Sequence, residues 1–302
     1  MVENAIKIEG VAKHFDKTVA VKELSMAVPA GSIYGLLGPN GAGKTTTIRM
    51  MLNIIYPDQG QIELFGRKLT EEDKSRIGYL PEERGLYPKM TVDETLLYFA
   101  RLKGIQTKLA KKAIDYWLDK VNIIEHRQKK INELSKGMQQ KIQFVATVQH
   151  NPDLLILDEP FSGLDPINVK LIKDIILELN SGGKTIIFST HQMEQVEKLC
   201  EYICLINKGK KIIDGKQSKI RSEYGRNTVL LEFDGDGSFL KEEKGIADIN
   251  LFPRQAEISL RRETSAPELL KNWVKKLDIT KFEVLEPSVE SIFIRLVGES
   301  DE

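Results

Sequence analysis

Gly38-Pro39-Asn40-Gly41-Ala42-Gly43-Lys44-Thr45-Thr46 is the stretch on which the reading of this chain turns. The apolar run Ile33 to Leu37 precedes it and the helix-compatible Thr47 to Leu52 follows, so the order is strand, glycine-rich loop, helix. Glycines let the backbone wrap until successive N–H groups point inward at phosphate oxygens. A helix starting near Lys44 adds its positive end to the same place. In that arrangement Lys44 reaches the β- and γ-phosphates as a point charge, and the Thr45 hydroxyl is placed to ligate Mg²⁺. Gly38, Pro39, Asn40, Gly41, Ala42, Gly43, Lys44, Thr45 and Thr46 are therefore the expected contacts of a nucleoside triphosphate. A glycine-rich turn that matches G-x-x-x-x-G-K-T by accident, with both flanks in place, is the weaker alternative.

Outward along the chain, Leu154 to Leu157 is a continuous apolar run, as a parallel strand buried on both faces requires, and it ends in Asp158-Glu159. A carboxylate at that strand end suits Mg²⁺ held through its water shell, which is the expectation for Asp158. Glu159 is expected to orient or deprotonate an attacking water. An ordinary strand-end acidic pair would be as plausible without the phosphate loop upstream. His191 closes the next strand, Ile186 to Thr190, and strand ends in such sheets converge on the nucleotide, which points His191 at the γ-phosphate. A lone His is more often structural, so position alone carries this expectation. Phe15 is a single aromatic, more often a core residue, and is expected to stack on the adenine ring.

The chain has 302 residues, room for two domains, and its 44 basic and 44 acidic side chains leave a formal charge of zero. That balance argues against holding nucleic acid by bulk charge, and no direct nucleic-acid partner is expected. Cys200 and Cys204 are the two cysteines, set in an apolar segment and expected as buried thiols of a reducing compartment. No basic-then-apolar leader is visible, and the apolar runs are too short to cross a bilayer, so any membrane role is expected through a partner.

Alternation predicts strands at Ala5–Gly10 and Thr18–Val28, with Lys13 to Asp16 as a turn-like interruption, and short strands at Gln61–Leu64 and Ile77–Leu80. A Thr91/Glu94 capping box opens an α-rich insert over about 84–149, whose third helix starts near Ser135. Asp165-Pro166 caps and opens a helix with Ile167, Leu171, Ile172, Ile175, Ile176 and Leu179 on one side. Thr185–Ser189 is the next strand, and alternating strands and helices imply a doubly wound, mostly parallel sheet with helices on both faces. After Gly215 the pattern changes. Strands at Val229–Phe233, Glu257–Leu260 and Lys281–Leu285 and helices at Pro267–Leu277 and Val289–Leu296 form a small α+β domain, its boundary near Lys216 to Arg226.

Leu134-Ser135-Lys136-Gly137-Met138-Gln139-Gln140-Lys141 decides the subclass. With Phe15, the loop Gly38 to Thr45, Asp158-Glu159, Ser162-Gly163-Leu164-Asp165 and His191 in order around it, the sequence resembles the nucleotide-binding subunits of ABC transporters over about residues 5–215. The resemblance implies an α/β P-loop NTPase fold of ABC type, with an antiparallel β portion and a helical subdomain, over residues 1–218, and an accessory domain over 219–302. It implies ATP with Mg²⁺, and a head-to-tail dimer in which Ser135 and Gly137 of one subunit face the γ-phosphate bound by Lys44 of the other. Asp165 would link the two sites at the seam. Two departures stand out in the signature, Lys136 for the usual first glycine and Met138 for the usual Gln. Glu82 occupies a position where Gln is typical, within reach of Mg²⁺. This Glu form is similar to the branch of bacterial drug, antibiotic and ion exporters, and the tail Pro287 to Phe293 is similar to that branch's accessory domain.

The implied function is an ATPase subunit that pairs with a second copy and drives export through a separately encoded transmembrane permease, at the cytoplasmic face of the cell membrane. The alternative is a soluble ATPase of the same type acting on ribosomes, DNA or cofactor assembly. The short helical insert lacks sustained heptads and the chain carries one cassette, which weighs against that alternative. A GTPase would need N-K-x-D, and Asn207-Lys208-Gly209-Lys210 fails at its last position. The transported substrate is not legible in these residues.

Overall fold

A computed structural model of the chain describes residues 3–83, 85–224, 228–261, 263–285 and 287–298, leaving aside the side chains of 297 and 298. The expected start of the helical insert at Arg84 and the far end of the expected boundary at Arg226 lie outside the described residues. The chain divides into two units between Gly215 and Lys216.

In the first unit the elements run β1 (Asn4–Phe15), β2 (Thr18–Pro29), β3 (Ile33–Leu37), α1 (Lys44–Met51), β4 (Gln59–Leu64) and β5 (Ile77–Leu80). Then come α2 (Val92–Leu102), α3 (Thr107–Lys120), α4 (Lys136–Val148), β6 (Leu154–Asp158), α5 (Pro166–Ser181), β7 (Thr185–Thr190), α6 (Met193–Leu199), β8 (Tyr202–Asn207) and β9 (Lys210–Lys216). The main sheet has the order β5-β6-β7-β3-β8-β9, and β5, β6, β7, β3 and β8 pair in parallel. Every residue of β3, β6 and β7 is buried, which is why these strands read as unbroken apolar runs; on one face Tyr34, Leu36, Ile156 and Ile187 share a core with α1 and with strands β1, β2 and β4. Each fully buried Leu or Ile contributes roughly 1.5–3 kcal/mol. Gly35 in β3 has a packing reason, since a Cβ there would lie 2.9 Å from Cys200 Sγ and from Val196. Both cysteines are buried free thiols, and burial raises both out of the thiolate range.

A second sheet, β2-β1-β4, is antiparallel. Here the structure corrects the expectation of a turn over Lys13 to Asp16: β1 continues through Phe15, and only Asp16 and Lys17 turn, with Asp16 at φ +47°. Register shifts along β1 break its apolar alternation, so the period-two pattern fades while the strand persists. The helical expectations need one correction as well. Ile167 does not join the buried face of α5 but is 82% exposed. It sits five residues before Ile172, about 140° around the helix from it. In α3 the buried stripe is Ala110, Ile114, Trp117 and Leu118.

The second unit contains α7 (Gln217–Glu223), β10 (Thr228–Asp234), β11 (Ile246–Phe252), β12 (Gln255–Leu260), α8 (Ala266–Trp273), β13 (Asp278–Leu285) and α9 (Val289–Gly298). Its four-stranded sheet has the order β11-β12-β10-β13 and is antiparallel throughout. Val229, Leu231, Phe233, Ala256 and Ile258 form one face of it and pack with Trp273 and Leu269 of α8. Strand β11 and helix α7 have weak signals in the sequence: only Ile246 of β11 is buried. Among the described residues no helix is long and apolar enough to cross a membrane.

Candidate nucleotide site

The loop between β3 and α1 is wedged between neighbouring strands, which fixes its glycines. Gly38 has φ +150°, and a Cβ there would lie 2.1 Å from the Ile206 carbonyl oxygen. Gly43 has φ +107°, and its Cβ would lie 2.5 Å from the Ala20 carbonyl oxygen. No other residue fits either place. Gly43 is also the N-cap of α1, with no side chain capping it and no acidic residue in the first turn. The first N–H groups of α1 are thus left facing the loop, a positive end suited to an anion.

Lys44 is only 7% exposed, and its ammonium donates to the carbonyls of Gly38 (2.7 Å) and Pro39 (3.1 Å). Burial pulls its pKa down, while the carboxylates of Glu159, Asp158 and Glu82 oppose that shift. All three carboxylates are thus close enough to Lys44 to favour its charged form. Pro39, Asn40 and Gly41 form the exposed crest of the loop, Ala42 and Gly43 its buried floor, and Thr45 and Thr46 are half-buried on the first turn of α1.

The end of β6 meets that turn. Thr45 Oγ1 donates to Asp158 Oδ2 at 3.0 Å, and Asp158 Oδ1 accepts from Ser189 Oγ on β7. The next residue, Glu159, takes a left-handed backbone, φ +48°, uncommon for a side chain of its size, and its N–H donates to the Ser189 carbonyl at 2.9 Å. This kink turns the Glu159 carboxylate toward the end of β7. There it accepts from Thr190 Oγ1 (3.0 Å), from the His191 backbone N–H (3.0 Å) and from His191 Nδ1 (2.7 Å). A carboxylate oxygen only accepts, so Nδ1 carries the hydrogen and Nε2 is left for another partner. The donor set of a hydroxyl and carboxylate oxygens around Thr45 and Asp158 is hard, which fits Mg²⁺ bound with waters and phosphates. Among the described residues no three His, Cys, Asp or Glu side chains cluster as a self-sufficient metal cage, so such an ion would share its coordination with the nucleotide.

Phe15 stands at the end of β1, 46% exposed, with Lys13 Nζ 5.6 Å from its ring centre. The same hairpin carries Ala20 against Gly43, so the aromatic is mounted on the structure that abuts the phosphate loop. Asp58 braces it, accepting from Lys13 Nζ and the His14 N–H, both at 2.7 Å.

Ser135, Gly137 and Asp165 form a second group. Ser135 is exposed and caps α4, accepting from Met138 N–H at 3.3 Å. Asp165 caps α5, and the Asn168 N–H that donates to it at 2.9 Å lowers its pKa. A Cβ on Gly137 would lie 3.3 Å from the Gly163 carbonyl oxygen, so the loop before α5 packs on the start of α4. Among the described residues no hydrogen bond joins Ser135, Gly137 or Asp165 to Lys44, Thr45, Asp158 or Glu159. Ser189, Thr190 and Asp58 belong to the site without a motif to mark them. In the sequence the first two stand out only as polar residues at an apolar strand end.

Residues 21–162 match the model of the family described as ABC transporter, and residues 215–297 match that described as the C-terminal domain of DrrA1-3-like ATP-binding proteins. The chain is 45% identical over 293 residues to the ABC transporter ATP-binding protein YhaQ of Bacillus subtilis, covering 97% of this chain and 98% of that protein. It is 35% identical over 300 residues to the Nod factor export ATP-binding protein I of Burkholderia lata, covering 97% of each. Among solved structures, cbiO1 from Clostridium perfringens, described as part of the ABC transporter complex cbiONQ, superposes with a TM-score of 0.64 at 26% identity. That superposition covers 73% of this chain and 92% of cbiO1.

Proposed function

Given that this chain belongs to the ABC transporter ATP-binding proteins, we propose that it is the ATPase subunit of an exporter, working as a head-to-tail pair beneath a separately encoded membrane permease. Binding of nucleotide and the ATPase class come with the family. The observation that supports the catalytic part of this reading is the hydrogen-bonded chain from Thr45 through Asp158 and Ser189 to Glu159 and His191, set at the ends of adjacent parallel strands beside Lys44.

In this reading the triphosphate lies in the loop of residues 38–46, held by backbone N–H groups, the α1 N-terminus and Lys44. Phe15 stacks on the base. Glu159, fixed by three donors, orients a water for attack on the γ-phosphorus and takes its proton. His191, with Nε2 free of Glu159, contacts the γ-phosphate. Thr45 and Asp158, with Glu82 at the margin, hold Mg²⁺, which when bound neutralises phosphate charge. Ser135 and Gly137, on a capped helix start exposed to solvent, face a second subunit's γ-phosphate, and Asp165 stands at the seam between the two sites.

Closure of the pair around ATP biases the permease through its differential affinity for closed and open forms. Export is supported by the name of the Nod factor relative. We assign residues 219–302 as an accessory domain, and the site of action as the cytoplasmic face of the cell membrane, with no nucleic-acid partner. Gentle solubilisation of membranes and purification through this chain tests the assignment. A stoichiometric, multi-span membrane protein is expected, and recovery with ribosomes or DNA instead would contradict it.

A further inference from the structure

Helix α4 runs away from Ser135 through the middle of the first unit, yet one of its faces is polar and buried. Gln140 is 3% exposed and Gln143 4% exposed. With Thr147 they stand at i, i+3 and i+7, on one side of the helix. Both glutamines donate to the main chain of a loop, not to another side chain. Gln140 Nε2 donates to the Pro160 carbonyl at 3.2 Å, directly after Glu159. Gln143 Nε2 donates to the carbonyls of Pro81 (2.9 Å) and Glu83 (3.3 Å), one on either side of Glu82. Thr147 Oγ1 donates back to the Gln143 carbonyl of its own helix at 2.9 Å, with the Tyr79 carbonyl of β5, two residues before Pro81, at 3.3 Å. All these partners are carbonyls, which can only accept, so the orientation of both amides is fixed.

We propose that Gln140 and Gln143 are positioning residues that couple the Ser135 end of α4 to both acidic loops of the same subunit. The inference rests on the roles given above to Glu82 and Glu159. A capped helix of this length moves as a rod. The segment from Pro81 to Pro88 has no helix or strand of its own among its described residues, so the two bonds of Gln143 set where Glu82 stands. Gln140 does the same for the backbone that carries Glu159. A push on Ser135 from outside therefore reaches the loop of Glu82 and the loop of Glu159 together, with no hydrogen bond from Ser135 to either carboxylate. In a head-to-tail pair, that would let the nucleotide of one subunit report to the acidic loops of the other.

Substitution to Met keeps length and removes the donor. The control is Gln149 at the end of the same helix, 5% exposed, whose Nε2 donates to the Leu96 carbonyl of α2 at 2.9 Å and so touches neither loop. The full chain and its Gln140→Met, Gln143→Met and Gln149→Met variants are compared by phosphate release across a Mg²⁺ titration, and by trinitrophenyl-ATP affinity in EDTA. Gln143→Met is expected to raise the Mg²⁺ concentration for half-maximal turnover about 10-fold, and Gln140→Met to lower kcat about 10-fold at unchanged Mg²⁺ dependence. Gln149→Met leaves both quantities, and all three leave affinity in EDTA, near the parent value. Should a Met variant fail to fold, the Leu variant of that position, likewise without the donor, replaces it. Equal shifts in Gln149→Met, or none in Gln140→Met and Gln143→Met, overturn the proposal. Glu82→Ala and Glu159→Gln run alongside: if they respond while the glutamine variants do not, the link alone fails, and if they too are silent, the assigned roles of both carboxylates fall with it.

Discussion

Nδ1 of His191 lies 2.7 Å from Oε1 of Glu159, and the backbone N–H of His191 donates to the same oxygen at 3.0 Å. The histidine thus serves the carboxylate as well as any phosphate, and its Nδ1–H fixes the direction from which Glu159 can accept a proton. His191→Ala keeps the backbone bond and removes the ring. We expect kcat to fall about 10²-fold with KM little changed, since a misplaced base costs rate more than binding. A large loss of ATP affinity in equilibrium titration, at unchanged kcat, would assign His191 to binding alone.

Glu159→Gln keeps the shape of the side chain and most of its contacts but takes away the base. Turnover should drop about 10²- to 10⁴-fold while ATP affinity stays within a few-fold. Light scattering should then show a pair that persists only with ATP. Phosphate release at the parent rate would remove Glu159 from the proton-accepting role.

The phosphate loop has no room for side chains at Gly43, where a Cβ would sit 2.5 Å from backbone. Gly43→Ala must shift either the loop or β2, and at φ +107° it is strained besides. ATP binding should be lost in a chain that still folds by circular dichroism. Gly41→Ala, with φ +78° but nothing within 4 Å of its Cβ, meets strain without a clash and should lose less.

Stability should fall with acid in a defined window. Burial, with Lys103 nearby, pulls His150 down to about 4 from its ordinary 6.5. Between those values the unfolded chain binds the extra proton, so the contribution is full above about pH 6.5 and is lost as pH falls toward about 4. The shift corresponds to roughly 3 kcal/mol at most. Asp58 and Asp73, held at about 2 by Lys13 and by Arg67 respectively, lose their contribution only below that window. Urea unfolding at about pH 7 and about pH 5 measures the slope. His150→Leu should flatten it, and an unchanged slope would exclude His150 as its source.

Strand and loop chemistry that depends on neighbours in sequence is legible from the residues themselves. Leu154 to Leu157 is wholly buried in β6, Ile77 to Leu80 is β5, and Thr91 closes its capping box with Glu94. Contacts that depend on distant neighbours are not legible in this way. Nothing local distinguishes Gln140 from any polar residue on a helix, because its partner at Pro160 lies 20 residues away. The same holds for Ser189 and Thr190, whose hydroxyls face carboxylates on the adjacent strand's end. Strand β11 escapes a sequence reading because only one of its residues is buried. Ile167 is misplaced when its apolarity is read without its angle on the helix.

The shared site is tested most directly by mixing two inactive chains, Lys44→Ala and Ser135→Ala, and following phosphate release. Each alone supplies only defective sites. A mixed pair holds one complete site, made from Lys44 of one chain and Ser135 of the other, so turnover should recover well above that of either chain alone. If the mixture stays as inactive as its components, or if single subunits kept apart by dilution hydrolyse ATP at the full rate, the two-chain site is contradicted.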